Sequence, residues 1–161
     1  MHDEQLLSDS CTAAGFVYLR AERLDQAESC FEKALEIRPD NARAYFGRGL
    51  VYVQREEFDA ALDDFDEAQR LGEDDVELVR HQAGCAFVCH FIDDLYDAAE
   101  RLVEREPEND EAHFYRGYAA DANGDYEAAL DDYNESLRLN PGRGVVYFHR
   151  ARMWDSLGED E

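Results

Sequence analysis

The side chains best suited to chemistry in this 161-residue chain are His81, Cys85, Cys89 and His90, the one place where imidazoles and thiols gather within ten residues. Such a set could hold a soft metal ion or run redox chemistry if its donors converged. Their spacing argues against it. At 1.5 Å rise per residue, positions eight apart on a helix are separated by about 12 Å along its axis, so His81 and Cys89 cannot share one ion. Only adjacent pairs could bind, and no spacing elsewhere supplies the two further ligands that zinc needs. Cys85 also occupies a position taken by Val17, Val51 and Ala119 at a constant spacing elsewhere, so packing explains it as a small buried apolar residue. No nucleophile elbow, phosphate loop, dinucleotide fingerprint, zincin helix or glycine-punctuated carboxylate loop is present. Neither catalysis nor a bound metal or cofactor is expected.

What positions these residues is a repeat. Gly15, Gly49, Ala83, Gly117 and Ala151 are each 34 residues apart. Ala27, Ala61, Leu95 and Ala129 form a second series on that spacing, Phe31, Phe65, Ala99 and Tyr133 a third, and Pro39, Glu73, Pro107 and Pro141 a fourth. A unit of this length cannot bury its own apolar face and must stack on its neighbours. Inside each unit the apolar residues recur at helical spacing: Cys11, Ala14, Gly15 and Tyr18 on one stretch, then Ala27, Phe31 and Ala34 on the next. Small residues on both stretches, Gly15 and Ala27, let two helices approach closely while Tyr18 and Phe31 fill the space beside them. The product is an antiparallel helical hairpin, ended at Pro39 and restarted by capping at Asp40 or Asn41.

Large or apolar residue, Gly or Ala, aromatic, Ala, aromatic, Ala and terminal Pro over 34 residues is a pattern that resembles the tetratricopeptide repeat (TPR) family. The resemblance implies an all-α fold, an α-α superhelix or TPR solenoid of about four helical hairpins plus a C-terminal helix. Residues 1–7 are expected to be a polar lead-in, with Ser8 or Asp9 capping the first helix. Residues 8–157 form a single array: repeats 8–41, 42–75, 76–109 and 110–143, a half repeat 144–157, and a tail at 158–161. Repeat 76–109 is degenerate. Val79, Ala83, Ala86, Leu95, Ala99 and Leu102 keep its period but exchange large for small, and its turn, Cys89 to Asp94, lacks glycine. Two outcomes fit, ordinary hairpin geometry or a first helix running on toward Ile92.

The resemblance also implies a concave groove lined by the first helix of each hairpin. The 34-residue register places Phe16, Phe46, Leu50, Val53, Arg80, Phe87, Phe114, Tyr118, Phe148 and Arg152 on it. Aromatics with occasional arginine are what protein interfaces enrich, although the same rings could instead pack between adjacent hairpins. A groove of this kind suits a peptide or protein segment with hydrophobic anchors, with a carboxylate near Arg80 or Arg152. It does not suit the family's two-carboxylate clamp for chaperone tails, because Thr12, Phe16, Leu50, Glu77 and His81 stand at the matching places. The alternative use is self-assembly, a homo-oligomer formed through the open end carrying Tyr147 and Trp154.

Charge bounds the partners. With 39 acidic against 16 basic residues the net charge is -23, and Lys33 is the single lysine, so nucleic acid is not an expected partner. The acidity fits either a coat for a salty cytoplasm or a surface that attracts basic partners. The N terminus has no basic and apolar leader pattern, and the longest mostly apolar run, Ala83 to Ile92, is too short to span a bilayer. No membrane partner is expected, and four cysteines without scaffold density point to a reducing, cytoplasmic setting.

Overall fold

The computed structural model describes the backbone of residues 2–157 and the side chains of residues 3–153. Among the described residues there are nine α-helices and no strand, which makes the fold all-α. Contacts divide the chain into two units, residues 1–81 and 82–161.

The first unit holds α1 (His2–Arg20), α2 (Leu24–Ile37), α3 (Ala42–Gln54), α4 (Phe58–Arg70) and the start of α5 (Val76–Cys89). α1 pairs with α2 and α3 with α4 as hairpins, and α3 also packs on both α1 and α2. Phe31 anchors this arrangement. Its ring is fully buried, and a methyl group added at Gly15 of α1 or at Gly47 of α3 would lie 2.6 or 2.3 Å from it. Glycine at those two positions is what allows both helix backbones to close on one ring. Burying such a ring contributes about 2 to 3 kcal/mol, and Ala27, Ala34, Ala44 and Val51 complete the core around it.

The second unit holds the rest of α5, then α6 (Ile92–Arg105), α7 (Asp110–Ala122), α8 (Tyr126–Leu139) and α9 (Gly144–Leu157). α7 pairs with α8, α6 packs on α7, and α9 packs on α8 and α7. Tyr133 is its counterpart of Phe31, fully buried among Phe114, Ala120, Ala129, Leu137, Val146 and Met153.

All four intra-hairpin turns use one device. Glu22, Glu56, His90 and Gly124, 34 residues apart, take positive φ values of 56, 61, 58 and 81°. Each donates its N–H to the carbonyl three residues back, and the next residue donates to the carbonyl five back, as in Glu56 to Val53 and Glu57 to Tyr52. This is the pairing that closes a helix through a left-handed residue. The degenerate repeat therefore keeps the ordinary turn: α5 stops at Cys89, α6 starts at Ile92, and His90 does without glycine what Gly124 does with it.

The expected lead-in is corrected by α1, which begins at His2, six residues before Ser8. Asp3 and Glu4 in its first turn favour the positive end of the helix dipole. Ser8 is not a cap. Its buried hydroxyl donates to the Ala34 carbonyl at 2.9 Å and accepts from the Asn41 amide at 2.8 Å, and that amide also reaches Thr12 at 3.0 Å. Asn41 does act as an N-cap, accepting from the Ala44 N–H at 3.1 Å. Residues 158–161, expected to be a tail, lie outside the described residues.

Candidate partner-binding surface

The histidine and cysteine set does not converge. Cys85 is buried, and burial followed by the nearby Cys89 pushes its thiol up to about 12, which keeps it protonated and a poor ligand. His81 stacks on Phe65 at 5.7 Å and 25°, with Phe46 6.3 Å away, and desolvation lowers its pKa. His90 Nδ1 lies 3.3 Å from the Tyr118 hydroxyl. Among the described residues no group of three or more His, Cys, Asp or Glu is placed to hold a metal ion.

In the first unit, Phe16 stands edge-on to Phe31 with centroids 5.1 Å apart, and the Arg43 guanidinium lies 5.3 Å from the Phe16 centroid. Phe46 rests against Phe65 at 5.9 Å. Leu50 packs against the α1–α3 core, and it, Phe16, Phe46 and Val53 are all half-buried. Arg80 reaches Glu77 on its own helix at 3.5 Å. In the second unit, Phe87 is ringed by Phe114, Tyr115 and Tyr118 at 5.6, 5.0 and 4.9 Å. Phe87 and Tyr118 are half-buried, Arg152 is exposed, and Phe148 is 63% exposed. Phe114 corrects the expected row. It is only 3% exposed, held by Tyr133 on one side and His149 on another, so it is core and offers a partner nothing. Tyr147 is 45% exposed; the side chain of Trp154, expected at the same end, lies outside the described residues.

Two buried ion pairs escaped notice in the sequence. Arg48 of α3 forks onto Asp64 of α4 at 2.8 and 2.7 Å, and Arg116 of α7 onto Asp132 of α8 at the same two distances. The carboxylates are 7% and 9% exposed. Burial pushes the Asp64 carboxyl up and the Arg48 fork pulls it back; Arg48 itself is raised, chiefly by that hydrogen bond, and two short charge-assisted bonds keep the pair ionised. The second pair carries a third member. His113 Nδ1 lies 3.1 Å from Asp132 and Nε2 lies 2.9 Å from the Pro107 carbonyl. The signal was available: Arg and Asp sixteen residues apart, repeated two units later.

These hairpins place the chain in the tetratricopeptide repeat family: its family model matches residues 12–76 and 96–144, and the chain belongs to that family. Anaphase-promoting complex subunit 3 of Schizosaccharomyces pombe is 31% identical over 103 residues, covering 64% of this chain and 16% of that protein. Stress-induced-phosphoprotein 1 of Caenorhabditis elegans is 24% identical over 168 residues, covering 84% of this chain and 52% of that protein. The chain thus spans between about a sixth and a half of these relatives. Among solved structures, YrrB, described as a TPR protein with an unusual peptide-binding site, superposes with a TM-score of 0.85 at 24% identity, covering 91% of this chain and 76% of its own. MamA superposes at 0.81 with 17% identity, covering 98% and 85%. The family is one of interaction modules that bind other proteins or peptides. No described helix is long and apolar enough to cross a membrane.

Proposed function

We propose that the chain is a non-catalytic, cytoplasmic module that binds a segment of another protein on the first-helix faces of its hairpins. The observation that carries this is the half-buried state of Phe16 and Phe46 in the first unit and of Phe87 and Tyr118 in the second. Each ring is fixed by a neighbouring ring yet keeps an open edge. Rigid aromatics with one exposed edge lose little entropy when a partner covers them, and such residues dominate binding energy at protein interfaces. The partner segment would bring apolar anchors, and a carboxylate for Arg80 or Arg152. YrrB, with its peptide-binding site, shares the fold and lends that class of partner support.

The test replaces Phe46 and Tyr118 together by alanine and compares the proteins captured by tagged wild type and variant, with far-UV circular dichroism confirming that both are helical. Loss of the captured set is expected; an unchanged set refutes the surface. The second use, self-assembly through the α9 end, has the exposure of Tyr147 and Phe148 in its favour. A mass that stays monomeric across a hundredfold concentration range excludes it.

A further inference from the structure

The turn between α5 and α6 differs from the other three in what it shows to solvent. Two places flanking the turn hold Arg20, Gln54 and Ala122 at the first and Arg23, Glu57 and Asp125 at the second. The α5–α6 turn puts Val88 and Phe91 there instead. They are 51% and 43% exposed, so neither belongs to the core. Phe91 is also the N-cap of α6 and makes no side-chain cap, whereas Asp125, its counterpart before α8, accepts from the Ala128 N–H at 3.2 Å. Such a cap contributes about 1 kcal/mol. A ring that neither caps its helix nor enters the core gives the folded chain nothing in exchange for its contact with water.

This apolar pair adjoins the rings of the second unit. Phe87, directly before Val88, has its centroid 4.9 Å from that of Tyr118, and His90, directly before Phe91, brings Nδ1 to 3.3 Å from the Tyr118 hydroxyl. Tyr118 thus ties both sides of the turn to α7. Beyond Phe91 the rim becomes acidic: Asp93 and Asp94 in the first turn of α6 are exposed, and among the described residues no cation pairs with either. Asp93 has an acidic counterpart in every hairpin, namely Asp25, Asp59 and Glu127. Asp94 does not, for it stands where the others have Gln26, Ala60 and Ala128. The exposed apolar pair and the extra carboxylate enter the chain together.

We propose that the partner segment held on Phe87 and Tyr118 continues over this turn, laying an apolar side chain on Val88 and Phe91 and setting a Lys or Arg that follows it against Asp93 and Asp94. The extension rests on the binding surface proposed above and adds to it a class of ligand, an apolar anchor followed by basic residues. Charge complementarity selects that occupant. Two carboxylates without a counter-ion, on a chain of net charge -23, attract a basic segment. They repel a second copy, whose own rim would bring the same carboxylates to a symmetric contact.

The test selects a phage-displayed library of random dodecapeptides on the immobilised chain, then titrates the winning peptide into ¹⁵N-labelled protein. A bulky apolar residue followed by Lys or Arg is expected, with saturable shifts at Tyr118 and from Phe87 to Asp94. Val88→Gln with Phe91→Asp copies residues of the α3–α4 and α7–α8 turns, so the turn is kept, and should weaken the peptide about tenfold. Non-specific attraction predicts the opposite, because the change adds a negative charge. Asp93→Asn with Asp94→Asn should weaken it about threefold, while Asp59→Asn with Asp63→Asn, which removes the same charge from α4, should leave it unchanged. Loss on Tyr118→Ala with full binding to the Val88→Gln, Phe91→Asp variant overturns the extension and leaves the surface standing. Full binding to both, or no selected peptide, overturns both. Equal weakening by the two asparagine pairs, or a selected peptide without basic residues, overturns the ligand class. So does a dimer that blocks the peptide and that Val88→Gln with Phe91→Asp dissolves, since a second copy would then be the occupant.

Discussion

Gly47→Ala tests the packing on which the first unit depends. Alanine ordinarily stabilises a helix interior over glycine by about 0.5 to 1 kcal/mol, so propensity alone predicts a gain. The new methyl would lie 2.3 Å from Phe31, whereas carbon atoms rest about 3.5 to 4.0 Å apart. Relief requires a retreat of more than an ångström by α3 or by the ring. Phe31 is fully buried and faces Gly15 of α1 on another side, also without room for a methyl. Overpacking of this kind costs about 1 to 3 kcal/mol, and a clash this deep belongs at the upper end. The net expectation is a loss of about 2 kcal/mol, a fall in melting temperature of roughly 4 to 8 °C for a chain of this size. Urea and thermal unfolding followed by far-UV circular dichroism measure it. Gly84→Ala in α5 is the control: nothing lies within 4 Å of the added methyl, so it should gain up to about 1 kcal/mol. Equal stability of Gly47→Ala and wild type, or a gain at both positions, would refute the close approach of α1 and α3 to one ring.

Three further outcomes follow from the same packing. Arg48→Gln leaves the Asp64 carboxylate buried without its fork and should cost about 2 to 3 kcal/mol, while adding Asp64→Ala, which copies Gln82 and Ala98 of the third hairpin, should restore more than half of it; additive losses in urea melts would contradict the pairing. Glu56→Gly removes a side chain from a left-handed residue at φ 61° and should gain about 0.5 to 1 kcal/mol, whereas Gly124→Ala at φ 81° should lose about as much. His149 is lowered chiefly by desolvation, only partly offset by Asp121, whose carboxylate lies 3.8 Å from Nδ1. The folded chain then binds fewer protons than the unfolded one, so the His149 contribution is intact above the ordinary value of 6.5 and is lost as pH falls from there toward the lower folded value. The slope is at most about 1.4 kcal/mol per pH unit for one ring, and His149→Gln should flatten stability against pH between neutrality and mild acid.

The 34-residue spacing by itself determined the hairpins, their partners in packing and the family, because a small residue opposite an aromatic at fixed intervals has few other ways to bury its faces. It also showed that His81 and Cys89, eight residues apart on one helix, stand too far apart along its axis to share an ion. Tertiary packing decided the rest. Phe46, Phe114 and Phe148 hold the same register, yet one is half-buried, one is core and one is open, because exposure depends on what the next helix places against each ring and not on the ring's own helix. Ser8 looks like a cap in one dimension and becomes a buried link to Ala34 in three, since a hydroxyl goes where an unpaired carbonyl meets it. The Arg48 and Arg116 forks were written at sixteen-residue spacing, but only the folded hairpin closes each pair, at 2.7 to 2.8 Å, around a buried carboxylate.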